Sequence, residues 1–454
     1  MLLGVLRRAV SALAAALVLA PAIAAPSAAL AQVVLTSDLT LDDPGISDQD
    51  DMCIWVHPTN RSLSTIIASD KAANKLFVYD LAGTTLQVIS TSGQPGNIDL
   101  RYNFTLGGVP TDIVAFNDRT NQKIQVFKVH PTTRLLTRVD NNAISTGANY
   151  GFTLYRSMMS GFFYAFTTSE SGTIKQFRLS DQSGQVTGTQ VRSWSVGSIT
   201  EGAAADDANA TVFFAQETEG VWKVGAEPGT PTPGSLIASV GDGSGLTADV
   251  EGIAVYHGGG NDGYLLVSSQ GSDEFKAYKL KAPHSYVETL TINGVTGSDG
   301  IDVTNANLGP AFPYGIFTAH NDSPSSKTVE VCGFEDTSLH VDTNSWDPRT
   351  SATLDVPGEG GAGPSLGLTA YPNPFTAASQ VRYRLASAQD VQLDVLDVAG
   401  RVVATLASGA QDAGIHEVSW SARTAHGQRL PNGLYLVRIR LGLETFTHKA
   451  VVAH

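Results

Sequence analysis

A chain of 454 residues has room for two or three ordinary domains, or for one large repeat architecture with a small companion. Its 45 glycines, its charged fraction of only 16% and the lack of long helical periodicity beyond the N-terminus mark it as all-β. The formal charge of −14, or −16 without Arg7 and Arg8 of the N-terminal segment, excludes nucleic acid or an anionic membrane as a bulk electrostatic partner; a polyanionic small molecule met by bound cations stays open.

Residues 1–31 read as a signal peptide. Arg7 and Arg8 form its positive start, residues 13–24 its apolar stretch, and Ala29-Leu30-Ala31 the small residues of a cleavage site. The apolar run is short and broken by Pro21, so no membrane span is expected. The chain is therefore predicted to be exported through the periplasm and to end secreted or at the cell surface. Cys53 and Cys332 then sit in an oxidising setting, near the two ends of the repeat region. A ring that closes on itself could join them in a disulfide; two separate buried thiols is the other reading.

From residue 35 an acidic approach, LTSDLTLDDPGISDQDD, leads into a strand at 54–56 that holds Trp55, a core residue by its setting. Paired β-type runs follow, separated by Gly, Asn, Asp and Ser turns: 66–68 with 76–79, 113–116 with 124–129, 162–167 with 174–179, 212–215 with 221–224, 264–268 with 275–280, and 314–318 with 329–332. Within this series a short motif recurs. SITEGAAADD places Glu201 beside Gly202, with Asp206 and Asp207 beyond; DVEGIAV repeats the pattern at Glu251 and Gly252, and SDGIDV at Asp299 and Gly300. An acid, a glycine and an apolar run describe a carboxylate at the mouth of a strand, with glycine where backbones pack closely. Inner strands starting near Ile54, Leu100, Phe152, Gly202, Gly252 and Gly300 divide residues 33–345 into six units of about fifty residues. The expected architecture is a six-bladed β-propeller, whose inner-strand ends, and the acids they carry, converge on a central channel.

Residues 346–366 form a Gly/Pro/Ser-rich linker. Residues 367–454 follow as a separate unit with period-two alternation in VQLDVLDVAG and YLVRIRL, expected to be a small immunoglobulin-like β-sandwich. Its YPNPF, DVAGRVV, AGIHEVSW, NGLYLVRI and HKAVV segments resemble the C-terminal sorting domain of type IX secretion cargo and the flagellar hook-capping sandwich. That resemblance implies the secretion machinery as a partner.

Several carboxylates aimed into one channel repel one another unless a cation sits among them, and calcium accepts many oxygen ligands in irregular geometry. His57, His130, His257 and His320 lack zinc-ligand spacing, and there is no GxxxxGK[ST] loop, GxSxG elbow or Ser/His/Asp set. The glycine run at 258–260 reads as a hairpin loop. From residue 48 to about 335 the chain resembles the β-propeller phytases. The resemblance is carried by DQDDMCIW, NIDLRY, YGFTLY, TEGAAADD, DVEGIAVY with YLLVSSQG, and SDGIDV followed by LGPAFPYGIFTAHND. It implies a propeller that binds several calcium ions at the top of its channel and releases phosphate from phytate (myo-inositol hexakisphosphate).

Matched position by position, the resemblance makes Asp51, Tyr150, Glu201, Glu251 and Asp299 calcium ligands, with Glu217 and Gln270 joining the site. Asn321 and Asp322 fall near a loop that holds a structural calcium in the family. Lys71 and Arg119 match residues that hold substrate phosphate; Arg101 does the same or is structural. Three departures stand out: Met52 and Cys53 replace a proline and an alanine, Glu170 stands where a phosphate-binding lysine is expected, and the shorter loop before Asp299 leaves one aspartate ligand without a counterpart. The implied chemistry is metal-assisted hydrolysis, in which Glu201 or Glu217 accepts a proton from the attacking water while Lys71 and Arg119 stabilise phosphoryl charge. The competing readings are a non-catalytic propeller stabilised by calcium and another calcium-dependent propeller hydrolase, such as a lactonase.

Overall fold

The computed structural model describes residues 32–453 apart from 259–262, 325, 340–347, 350–367, 372, 386–387, 399, 413, 425–427 and 442–443. The predicted signal peptide, the tip of the glycine loop and almost all of the predicted linker lie outside the described residues. No described helix is long and apolar enough to cross a membrane.

Between residues 32 and 336 the described chain forms six sheets in sequence, each an antiparallel meander of three or four strands. Their first strands are Gln49–Trp55, Pro95–Leu106, Phe152–Arg156, Thr200–Asp206, Val250–His257 and Ile301–Thr304. Each of these strands packs beside the first strand of the next sheet, and Ile301–Thr304 packs beside Gln49–Trp55. The expected pairings hold, with strand ends longer than the apolar runs that announced them: Thr65–Asp70 pairs with Lys75–Asp80, and Ile316–Asn321 with Thr328–Gly333.

The second strands are buried on both faces. All six residues of Thr65–Asp70, Thr211–Gln216 and Ile316–Asn321 are inaccessible, because a neighbouring sheet covers each side. The apolar core is correspondingly split into clusters between consecutive sheets. Phe104 meets Phe163 between the second and third, Phe166 meets Phe214 between the third and fourth, and Phe275 meets Phe317 between the fifth and sixth, with ring centroids 5.1, 5.9 and 5.1 Å apart. Each such ring stabilises its sheet pair by about 2–3 kcal/mol of apolar burial.

Two strands in the acidic approach were not anticipated. Gln32–Leu35 runs parallel to Tyr286–Ile292 at the outer edge of the fifth sheet, and Leu39–Leu41 completes the sixth by pairing with Val329–Val331. The chain start thus supplies the outer strands of the two sheets formed last in sequence.

The C-terminal unit comprises a three-stranded sheet (Thr369–Tyr371, Ser379–Leu385, Gly414–Trp420) and a four-stranded one (Gln389–Leu396, Val402–Gln411, Gly433–Leu441, Glu444–Val452). They enclose a core of their own, in which Trp420 lies 5.0 Å from Phe375 and 5.8 Å from Tyr435. Of the predicted linker, residues 348–349 are described. The Arg349 guanidinium stacks on Tyr102 at 4.3 Å and binds Asp112 at 2.5 Å, the carboxylate that also accepts the Trp55 indole N–H at 2.8 Å. The foot of the linker is therefore pinned to the first two sheets.

Cys53 and Cys332 are both buried and free, each on a separate sheet, which decides for unbridged thiols over a disulfide. A thiol assay on denatured, unreduced protein is expected to find both. Arg349→Ala should lower the thermal midpoint of the six-sheet unit by the equivalent of about 1–3 kcal/mol, since it leaves Asp112 without its cation. A calorimetric scan that resolves this unit from the sandwich checks it.

Candidate active site

The repeated acid–glycine step has a local cause. Four first strands carry a register shift against their partners: between Gln49 and Met52, Pro95 and Ile98, Thr200 and Ala203, and Val250 and Ile253. The two residues in each bulge are Asp50-Asp51, Gly96-Asn97, Glu201-Gly202 and Glu251-Gly252. Bulges re-aim side chains, and here they turn carboxylates toward the neighbouring first strands. Tyr150-Gly151 and Asp299-Gly300 hold the corresponding place just ahead of the third and sixth strands.

The glycines are needed because the next acid's backbone lies on top of them. A Cβ at Gly151 would overlap the Glu201 carbonyl, one at Gly202 the Glu251 carbonyl, one at Gly252 the Asp299 carbonyl, and one at Gly300 Asp51 itself. Hydrogen bonds tie the same steps: Gly252 N–H donates to the Asp299 carbonyl at 2.8 Å and Gly300 N–H to that of Asp50 at 3.0 Å.

Two groups of acids result. The carboxylates of Glu201, Glu217 and Glu251 offer oxygens within 4.8 Å of one another, and so do Asp50 and Asp299 with a ring nitrogen of His320. Two cations are threaded through them. Lys71 Nζ donates to Asp50 Oδ1 at 2.7 Å and to Asp299 Oδ2 at 2.8 Å, with Asp48 Oδ2 at 3.7 Å. Arg119 binds Glu201 through Nη2, reaches Asp50 Oδ2 at 3.8 Å, donates from Nε to the Tyr150 carbonyl at 3.0 Å, and stacks on the Tyr150 ring at 4.3 Å. Gln270 donates through Nε2 to Asp299 Oδ1.

Two positive charges do not suffice for this many acids. Burial lifts Glu217 to about 7, helped by Glu201, Asp249 and Glu170. Burial raises Glu251 well above the ordinary carboxylate range, followed by the charges of Glu201, Glu217 and Asp299. Asp299 stands at about 7 through burial and the charge of Asp50. Asp50 is the exception: burial opposes its charge, yet Lys71 and Arg119 hold it at about 2. Glu251 Oε2 and Asp50 Oδ2 are buried without a hydrogen-bond partner. Unpaired buried carboxylate oxygens, with no thiolate in the set, fit a hard divalent cation with oxygen ligands.

The sequence profile described as Phytase matches residues 3–333, and that described as FlgD Ig-like domain matches residues 374–441. The chain belongs to the phytase family. It is 36% identical over 311 residues to a 3-phytase of Bacillus subtilis (strain 168), a match covering 64% of this chain and 81% of that protein. Among solved structures it is similar to the calcium-binding protein regucalcin of Agrobacterium tumefaciens, at 12% identity over 67% of this chain and 95% of the other, with a TM-score of 0.44. It is also similar to PorZ, a surface component of the type-IX secretion system of Porphyromonas gingivalis, at 14% identity over 88% and 51%, with a TM-score of 0.36. As a phytase of the 3-phytase type the chain is an enzyme, which sets aside the non-catalytic and lactonase readings.

Within this phytase, most of the residues picked from sequence converge: Lys71, Arg119, Tyr150, Glu201, Glu217, Glu251, Gln270 and Asp299 all belong to the two acid groups or touch them. Asp51 is placed differently. Its Oδ2 accepts the Ile98 N–H at 3.0 Å and its backbone presses on Gly300, while its neighbour Asp50 reaches both cations. The bulge sends the paired side chains to different partners, Asp50 to the two cations and Asp51 to the second sheet. Asn321 is engaged locally, accepting from Ser323 N–H at 3.2 Å, whereas Asp322 binds Lys327 and offers an oxygen near Asp48 and His320. Arg101 lies apart: it is held by Asp99 at 2.9 Å and Asp207 at 2.9 Å, with Thr153 and the Leu154 N–H completing the Asp99 shell.

Asp48, Asp50 and His320 were not singled out. The fully buried His320 accepts the Asp299 N–H through Nδ1 at 3.3 Å, and burial lowers its pKa to about 4, so it stands neutral between Asp299 and Asp48.

Raised carboxylate pKa values fix the sign of a pH effect. The metal-free folded phytase binds more protons than the unfolded chain between the ordinary carboxylate range and about 7, so its stability falls as pH rises through that window. A divalent cation removes this loss. The gain in thermal midpoint on adding calcium to chelated protein is expected to be larger at about pH 7.5 than at about pH 5, measured by differential scanning fluorimetry.

Proposed function

We propose that the six sheets are the blades of a closed propeller, and that the acid groups at their first strands bind calcium and hydrolyse phosphate monoesters of phytate. One observation carries the reading: Glu201, Glu217, Glu251, Asp50 and Asp299 crowd around only two cations and leave buried oxygens unpaired. Membership of the phytase family supports the substrate, a small polyanion that this acidic protein would otherwise repel.

In this reading Glu201, Glu217, Glu251, Asp50 and Asp299 hold several calcium ions, with Tyr150, Gln270 and Asp51 bordering them. Asn321 and Asp322 serve a separate structural ion, as the family resemblance implies. Bound calcium supplies the positive charge that attracts and polarises a phosphate ester and acidifies water. Glu217, less enclosed than its partners, accepts the proton of the attacking water; Glu201 is oriented by Arg119 and Tyr150. Lys71 and Arg119 hold phosphoryl oxygens and stabilise the charge that develops there. Arg101, closed off by Asp99 and Asp207, ties the second sheet's first strand to the end of the fourth's and does not meet substrate. The protein is exported by its N-terminal segment, and the C-terminal sandwich addresses it to a secretion machinery.

Glu201→Gln and Glu251→Gln keep size and hydrogen bonding but remove a charge the cations need. Each is expected to lower phosphate release from phytate by about a hundredfold, with the thermal transition of the sandwich unchanged. Near-normal turnover in both variants, in calcium-saturated buffer, would show that the acids serve the fold alone.

A further inference from the structure

Lys223 and Lys281 face a cavity of about 280 Å3 between the fourth and fifth sheets, with Asn209 on its wall and Phe213 and Leu280 as its apolar lining. It opens at the far end of the Thr200–Asp206 strand, five residues from Glu201 and so about 16 Å along the chain from the acid cluster. Nothing in the proposed hydrolysis uses it.

Positive charge is in excess in this cavity, two lysines facing the single carboxylate of Asp206. Lys223 Nζ lies 3.0 Å from Nε2 of the buried His284, whose Nδ1 is 3.2 Å from the Lys279 carbonyl. Only one tautomer serves both contacts: Nδ1–H donates to the carbonyl and the Nε2 lone pair accepts from the ammonium. The ring is therefore neutral, as its burial and the neighbouring lysine also require. The ammonium is thus oriented by a partner that cannot neutralise it, with two N–H donors left over. Asp206 lines the same cavity and offsets one of the two lysine charges; its oxygens are turned onto the Asn209 N–H at 3.1 Å and side-chain amide at 2.6 Å and not onto either ammonium. Among the described residues the polar partner of Lys223 is His284, and neither Lys223 nor Lys281 forms an ion pair with a carboxylate.

We propose that this cavity is a second anion site, taking one phosphate group, either free or carried on a ring no larger than a sugar. Two ammonium groups and an amide match the acceptor oxygens of phosphate, the apolar lining suits the face of a ring, and the volume lies below that usual for larger ligands. That the anion is the product of this enzyme rests on the function proposed above; the charge and size of the site do not.

The test uses the full, calcium-loaded chain, with the imidazole resonances of His284 as reporter. Inorganic phosphate and myo-inositol monophosphate are titrated separately, against sodium chloride at equal ionic strength. A saturable shift with a phosphate probe and not with chloride is expected, weakened about tenfold by Lys281→Gln, while turnover of phytate by that variant stays at the unsubstituted level. Tighter binding of one probe than the other identifies free anion or ester as the ligand. No shift, an equal shift with chloride, or a shift indifferent to Lys281→Gln overturns the proposal. Glu251→Gln leaves the cavity untouched, so failure of the hydrolytic reading and failure of this one are read separately.

Discussion

The contact on which the site depends is steric: the backbone of one acid resting on the glycine of the preceding first strand. Gly151 lies under Glu201, Gly202 under Glu251, Gly252 under Asp299 and Gly300 against Asp51. A single methyl group at any of these would push two sheets apart. Because each glycine directly adjoins an acid or Tyr150, the spacing of the sheets and the spacing of the charges are set by the same atoms. Packing of this kind costs little, since backbone atoms meet backbone atoms, and it forces carboxylates closer than their charges would choose.

That electrostatic debt is settled unevenly. Asp50, innermost and served by Lys71 and Arg119, remains an anion, whereas Glu217, Glu251 and Asp299 are driven toward the neutral form. The fold thus holds the Asp50 anion beside acids whose ionisation is disfavoured by burial and by one another. Lys71 and Arg119 keep the cluster folded, and in the proposed hydrolysis they also meet the phosphate. Two further acids, Asp99 on the second sheet's first strand and Asp207 just past the fourth's, are closed on Arg101 and so kept out of this competition.

Much of this was legible in the sequence because it repeats. Glu201-Gly202, Glu251-Gly252 and Asp299-Gly300 recur at a fixed interval, and the apolar runs between them count out the sheets. Where the repeat is imperfect the sequence was mute. In the second sheet the bulge holds Gly96-Asn97, with no acid at the position of Glu201 and Glu251, so nothing in the sequence marked it. In the run Asp48-Gln49-Asp50-Asp51 every second residue faces another way, and only the position of the bulge decides that Asp50 meets the cations. His320 was passed over because a lone histidine has no spacing to read; its role comes from a strand partner far away in the chain. The strands Gln32–Leu35 and Leu39–Leu41 escaped for a similar reason, since pairing across the whole length leaves no hairpin signal beside them.

Those two strands also govern when the molecule can become itself. Leu39–Leu41 pairs with Val329–Val331, and Thr40 bonds Glu330 across 290 residues. A ribosome or an export pore delivers the chain from its beginning, so the earliest segment must wait, unpartnered, until nearly all of the six-sheet unit has emerged. Sheets one to four can assemble from near neighbours in the meantime, while the two early strands have no edge to join until Tyr286–Ile292 and Val329–Val331 emerge. The sandwich, being delivered after Val331, is still emerging when the last pairing becomes possible. It follows that the acid cluster, whose Asp50 and Asp299 come from the first and last sheets, is assembled at the end of folding.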